Sequence, residues 1–303
     1  MSVGLLFSGQ GTQHPQMLNW LDDSHPLLRQ MTSLLGVSNW RQALDDPTWA
    51  TRNRHAQVLL TGVALTAWAQ LSAGLPTPAA IAGYSVGELA AFAAAGVFDA
   101  DIAMALAVQR AEAMDRAAAQ SPGGLAAVGG LGAPAVAALC RATGAAVAIR
   151  IAADTVVLGG STAALMDAEP RALELGAKWS PLKVGLASHT PAMSPAAQAF
   201  ATVLAGMALK RPTTPLFSNT DAGRIFTAEQ AARALATQIA QPVQWSGCLE
   251  AVHARQPACV LEVGPGSALA AMWNRRYPEV PARSCDEFRS ARAVIDWVAR
   301  LAR

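Results

Sequence analysis

The sequence predicts an α/β protein: a mostly parallel sheet wrapped by helices, with a smaller βαββαβ unit of ferredoxin-like order inserted into it. Apolar runs of four to six residues alternate with Ala-rich helical stretches along most of the chain, the rhythm of strands joined by crossover helices. Between Leu125 and Leu186 that rhythm changes, and two strand-like runs follow each other with no helix between them. A length of 303 residues leaves room for one large core and one small one.

Val3–Phe7 reads as the first strand, because an apolar run passes straight into a glycine turn. Helical segments follow around Pro26–Leu35, where His25 precedes a helix-starting proline, and over Val58–Leu71. A strand near Ala79–Gly83 leads into helices Gly87–Ala95 and Asp101–Ala118. The inserted unit then reads as strand Leu125–Val128, helix Pro134–Ala142, strands Val147–Ile151 and Thr155–Leu158, helix Ala163–Leu175 and closing strand Trp179–Val184. From Pro191 the larger unit resumes with a helix to Met207, a strand at Pro215–Ser218, and helices Ala228–Ile239 and Trp245–Arg255. Strand Cys259–Val263 ends in Gly264-Pro265-Gly266. The expected division is residues 1–122 with 187–303 for the large α/β domain and 123–186 for the small subdomain. The abundant alanine reads as helix propensity and close packing.

Composition removes several function classes. A net charge of +2 with 6% aromatic residues carries no electrostatic footprint for nucleic acid, and 52% apolar residues are too many for a disordered chain. The positive mean hydropathy of +0.26 raises the question of a membrane span. The uncharged stretch Ser121–Cys140 is cut up by glycines and prolines, so no transmembrane helix and no membrane partner are expected. No Lys or Arg precedes Arg29, which argues against a signal peptide. Cys140, Cys248, Cys259 and Cys285 have neither CxxC pairing nor metal-ligand spacing. They read as thiols of a cytoplasmic protein with no bound metal or cofactor.

The strongest chemical signal is Gly83-Tyr84-Ser85-Val86-Gly87-Glu88, set between an apolar strand and an Ala-rich helix. A G-x-S-x-G in that setting is a nucleophile elbow. Glycines relieve crowding at a sharp strand-to-helix turn, and the helix points its positive end at the serine oxygen. The plainer alternative is that Ser85 only caps its helix. A serine needs a base, and of the five histidines His189 falls at a strand end before a helix, where functional residues of α/β proteins gather. His14 is held in reserve; His25, His55 and His253 read as helix-start, charged-run and helix-face residues. The turn Gly9-Gln10-Gly11-Thr12-Gln13 follows the first strand, so its backbone N–H groups are placed to join that of Val86 around an oxyanion, unless it is an ordinary turn. Arg110 lies among apolar neighbours on its helix, where a guanidinium either grips a carboxylate in bidentate fashion or simply packs its stem.

Together these segments resemble the malonyl-CoA:acyl carrier protein transacylase family over nearly the whole chain. The family's GQGxQ turn, GHSxGE elbow, arginine 25 residues past the serine, downstream S-H and EVGPG strand end correspond to Gly9–Gln13, Gly83–Glu88, Arg110, Ser188-His189 and Glu262–Gly266. The resemblance implies a hydrolase-like parallel-sheet domain carrying the ferredoxin-like insertion. It further implies Ser85 as nucleophile, His189 as general base, the N–H groups of Gln10 and Val86 as oxyanion hole, and Arg110 as partner of the free malonyl carboxylate. A backbone carbonyl of Gln244, in Pro242-Val243-Gln244-Trp245, would orient the histidine in place of an acid, and Met114 and Ser188 would shape the acyl pocket. Malonyl-CoA is then the substrate and a carrier protein the partner, bringing its own thiol arm. Three positions depart from the pattern: Tyr84 for histidine, Ile151 for asparagine and Ser8 for proline.

Within the family, Phe7–Pro15, Ser188–Pro191 and Ala282–Ser290 look most like the epsilon subunit of malonate decarboxylase, whose partner is that enzyme's carrier subunit. The fatty-acid-synthesis transacylase is the alternative branch. Seven arginines against four acids from Arg275 to Arg303 suit an acidic carrier, or mere solubility. Two other classes stay open: an α/β serine hydrolase with the order Ser85, Asp221, His253, and a non-catalytic carrier-docking module.

Overall fold

Every residue of the first apolar run is buried in strand β1 (Val3–Phe7), as expected of a strand covered on both faces of a parallel sheet. The computed structural model describes residues 2–301. After β1 the chain forms α1 (Pro26–Leu35), with Pro26 in its first turn and Gly36 closing it in a left-handed conformation. Two short helices, α2 (Trp40–Ala43) and α3 (Pro47–Thr51), precede α4 (Asn53–Leu71). Residues 53–74 form a helix long and apolar enough to cross a membrane, but most of it is buried inside the core against α1 and α6 (Ala100–Gln120). Between them lie β2 (Ala80–Gly83) and α5 (Gly87–Ala94).

The middle of the chain runs β3 (Gly123–Gly129), α7 (Ala133–Thr143), β4 (Ala146–Ala152), β5 (Thr155–Ser161), α8 (Thr162–Glu174) and β6 (Lys178–Pro181). These strands make an antiparallel sheet in the order β4-β5-β3-β6, the βαββαβ arrangement read from the sequence. Val128, Val136, Leu139 and Leu158 fill a small core between this sheet and its two helices. The closing strand stops at Pro181, short of Val184, because proline has no N–H for the ladder; Leu182 N–H still reaches the Leu125 carbonyl at 2.9 Å.

The large unit continues with α9 (Ser194–Ala205), β7 (Leu216–Phe217), β8 (Arg224–Ile225), α10 (Ala228–Thr237), α11 (Trp245–His253), β9 (Cys259–Val263), α12 (Ala268–Arg276), β10 (Ala282–Ser284) and α13 (Ala291–Leu301). The helix expected from Pro191 to Met207 is a 3₁₀ turn over Pro191–Met193 followed by α9. Its six-stranded sheet has the order β10-β9-β1-β2-β7-β8, parallel except for β8. Strands β1 and β2 thus sit centrally, and their C-terminal ends carry the glycine turn and the elbow to the same sheet edge.

Candidate active site

The elbow is built by exclusion. A methyl group on Gly83 would stand 2.2 Å from the Gly87 carbonyl oxygen, and one on Gly87 would stand 2.4 Å from that of Phe7. Only glycine lets the chain turn from β2 into α5 this tightly against the end of β1. Ser85 pays no such clash but takes a left-handed conformation, φ +54°, which only an over-determined turn sustains. The first glycine turn packs onto the same place, since a methyl group on Gly9 would stand 2.7 Å from the Tyr84 carbonyl oxygen. Among the described residues, neither the Gln10 nor the Val86 N–H donates to a protein acceptor, so both are available at this corner.

Ser85 Oγ lies 2.7 Å from His189 Nε2. His189 is buried, also left-handed at φ +63°, and fixed at both of its other polar groups. Its Nδ1–H donates to the Gln238 carbonyl at 2.7 Å and its backbone N–H to the Ile239 carbonyl at 2.9 Å. That tautomer leaves the Nε2 lone pair for the serine hydroxyl. Burial, and then the nearby Arg110 cation, hold the His189 pKa down to about 3 against the pull of the Gln238 carbonyl. The imidazole is therefore a neutral base. The orienting carbonyl corrects the expectation of Gln244. Gln238 is the C-cap of α10, where helix carbonyls lack intrahelical partners, whereas the Gln244 carbonyl is taken by the Cys248 N–H at 3.0 Å. The dipole of α10 also places partial negative charge beside the imidazole, favouring its protonated form in a transition state.

Behind the pair lies a buried polar network, of which sequence reading gave a role only to Arg110. Asn219 accepts from the Ser85 N–H at 2.9 Å and donates to the Gly83 carbonyl at 2.7 Å, bracing both sides of the elbow. Glu88 accepts from the Asn219 N–H and, through Oε2, from Gln238 Nε2 at 2.9 Å. Burial pushes the Glu88 pKa up to about 8, opposed by the Asn219 N–H and Arg110. Arg110 is buried and donates to Gln57 Oε1 at 2.7 Å and Gln238 Oε1 at 2.8 Å. Burial lowers its pKa to about 10, which leaves it a cation at neutral pH. The sequence feature that could have pointed to Asn219 is its place directly after β7, at the same sheet edge as the elbow.

The remaining candidates separate. Met114 is buried beside Arg110's partner, its Sδ 3.5 Å from Gln57 Nε2, and Ser188 is buried next to His189. His14 lies 2.8 Å from Asp286, which also accepts from the Leu18 and Gly266 N–H groups and so ties the first loop to the C-terminal segment. His253 stacks on Tyr277 and meets Glu279 at 3.1 Å, while Asp221 caps its own turn at Gly223. The hydrolase order Ser85, Asp221, His253 is thus not assembled: the histidine bonded to Ser85 is His189. Tyr84 packs edge-on against Trp245, and both it and Ile151 join one apolar cluster. Beyond them opens a cleft of about 1160 Å³ between the small sheet and helices α11 and α12, lined by Arg150, Ile151, Ala222, Met272 and Arg275 among others. No group of three or more His, Cys, Asp or Glu side chains among the described residues is placed to hold a metal ion.

Residues 5–295 match the family described as the acyl transferase domain. The malonyl CoA-acyl carrier protein transacylase of Mycobacterium bovis is 32% identical over 299 residues, covering 93% of this chain and 95% of that protein. Its counterpart from Escherichia coli strain K12 is 30% identical over 298 residues, with the same coverage of 93% and 95%. Among solved structures, the acyl-carrier-protein S-malonyltransferase of Burkholderia pseudomallei superposes with a TM-score of 0.89 at 28% identity, covering 98% of this chain and 100% of that one. A malonyl transacylase solved in complex with its type II polyketide synthase acyl carrier protein superposes with a TM-score of 0.90 at 26% identity, covering 98% and 99%.

Proposed function

The chain belongs to the acyl transferase domain family, and from that premise we propose that it is a malonyl-CoA:acyl carrier protein S-malonyltransferase working through a malonyl-serine. The observation that carries the mechanism is the 2.7 Å approach of Ser85 Oγ to a neutral, carbonyl-oriented His189. Ser85 Oγ attacks the thioester carbon while His189 Nε2 takes its proton, and the Gln10 and Val86 N–H groups receive the oxyanion. The intermediate collapses, the C–S bond breaks, and CoA leaves with the proton His189 returns. The thiol of the carrier's arm then gives its proton to His189 and attacks the malonyl-serine, which restores Ser85. Arg110, buried and charged close to the pair, is the partner for the free carboxylate of the malonyl group. No cofactor enters this scheme, and it runs in the cytoplasm.

The relatives described above are named for acyl carrier protein, which supports that partner. A second reading gives the chain the epsilon role in malonate decarboxylase, with that enzyme's carrier subunit as acceptor. What supports it is the likeness of Phe7–Pro15, Ser188–Pro191 and Ala282–Ser290 to that subunit, the first and last of which meet in the His14–Asp286 contact. Intact-mass measurement after mixing with malonyl-CoA tests the mechanism. One malonyl group should appear on Ser85 and should leave on addition of a holo carrier protein, while Ser85→Ala loses transfer by roughly a thousandfold or more. Prompt release of free malonate, or unchanged transfer by Ser85→Ala, would overturn it. Offering a holo acyl carrier protein and the holo carrier subunit of malonate decarboxylase side by side separates the two partners.

A further inference from the structure

The side-chain amide of Gln238 stands between a buried carboxyl and a buried guanidinium. Its Nε2 donates to Glu88 Oε2 at 2.9 Å and to the Ser85 carbonyl at 2.7 Å, and its Oε1 accepts from Arg110 Nη2 at 2.8 Å. The orientation is determined by chemistry: turned over, the amide would set N–H against guanidinium and oxygen against two oxygens. Glu88, Arg110 and Gln238 are all nearly inaccessible to water, at 1%, 3% and 1% exposure. An ionised Glu88 one amide away from Arg110 in such surroundings would be drawn strongly to it, and the preferred end state of a carboxylate and a guanidinium is a direct two-pronged pair. That pair would occupy the fork of Arg110 from within the protein.

We propose that the Gln238 side chain is a positioning residue, a spacer that holds Glu88 away from Arg110 and so keeps the guanidinium fork open to a carboxylate on the acyl group. The inference rests on the reading of Arg110 as the carboxylate partner. Of the five guanidinium donors, Gln57 and Gln238 engage one each, and both acceptors are neutral amide oxygens. They fix the plane of the guanidinium without cancelling its charge. Burial, which holds the Glu88 pKa up to about 8, works in the same direction while the spacer is in place; direct contact with Arg110 would draw that carboxyl into its ionised form. One residue therefore serves both halves of the site: its carbonyl orients His189, and its side chain sets the charge available for acyl selection.

The test is a comparison of malonyl-CoA with acetyl-CoA in acylation of Ser85, with kcat and KM measured separately for each. Gln238→Ala is expected to lower the malonyl-over-acetyl preference by about tenfold or more, mainly through KM for malonyl-CoA. Adding Glu88→Gln in the double variant should restore most of that preference, since a neutral amide at 88 cannot pair with Arg110 as an ion. Should Gln238→Ala fail to fold, Gln238→Glu serves instead: it places a carboxylate on Arg110 directly and should lose the preference outright. If Arg110→Ala loses the preference while the Gln238 variants keep it, or if Glu88→Gln restores nothing, the spacer is refuted and the carboxylate-partner reading stands. If Arg110→Ala affects both acyl groups equally, that reading falls, and the spacer with it.

Discussion

His189 donates its Nδ1–H to a carbonyl, adopts a left-handed backbone and lies out of contact with water, so its charged form is costly until an oxyanion develops beside it. An unperturbed imidazole charges near pH 6.5, whereas this one is held down to about 3. Nitrogen-15 NMR of the free protein should therefore show the neutral, Nδ1-protonated tautomer between pH 7 and about 5. Arg110→Ala, which removes the second cause of the depression, should raise that pKa. A signal that titrates near 6.5 in the native protein would contradict the neutral base. The sign for stability follows from the same shift: the unfolded chain binds a proton below about 6.5 that the fold refuses, so this group's contribution is full above that pH and is lost as pH falls. Ser85, His189 and Arg110 were legible because their chemistry belongs to side chains. The orienting group was not, because every residue has a carbonyl; what singles out Gln238 is its place at the end of α10, an amphipathic helix whose boundary the sequence located only to within two residues.

The elbow shows why some elements could be read closely and others not. Gly83, Gly87 and Gly9 are required by contacts between neighbouring elements, and the same glycines made the motif visible. Gly87→Ala would drive a methyl group into the Phe7 and Ser8 carbonyl oxygens, both backbone, so β1 and α5 must separate. Gly144, by contrast, closes α7 at φ +75° with open space around it. Gly144→Ala should cost about 1 kcal/mol and leave acylation intact, whereas Gly87→Ala should cost about 3 kcal/mol or more and abolish acylation. Thermal melting of both variants, paired with malonyl-serine formation, checks this; equal costs would show that the elbow can relax. Buried strands such as β1 and β9 announced themselves as apolar runs. Helices α2 and α3, of four and five residues, are too short for periodicity to register, and β8 and β10 exist only through their partners. Helix α13 did carry a signal, since Val294, Trp297 and Val298 fall at helical spacing, but in a segment rich in arginine that read first as surface charge.

At the scale of the whole molecule, the small sheet is joined to the segment that orients the base. The Arg150 N–H donates to the Val243 carbonyl at 2.9 Å, and the Val243 N–H donates to the Ala148 carbonyl at 2.9 Å, covering one edge of β4. Five and four residues earlier the same segment presents the Gln238 and Ile239 carbonyls to His189. The βαββαβ order was readable from strand and helix runs; this junction was not, because it depends on a single bridging residue. Its consequence is that the small sheet cannot shift without disturbing the backbone that holds the imidazole. Val243→Pro keeps an apolar side chain but removes the N–H, leaving the buried Ala148 carbonyl without its donor, a loss of about 1–3 kcal/mol. Hydrogen exchange followed by mass spectrometry should then quicken both in the peptide spanning β4 and in that spanning 236–244, and kcat for Ser85 acylation should fall by about tenfold. If exchange quickens only in β4 and kcat holds, the small sheet moves independently of the base, and any part it plays in catalysis must be sought in the cleft beside it.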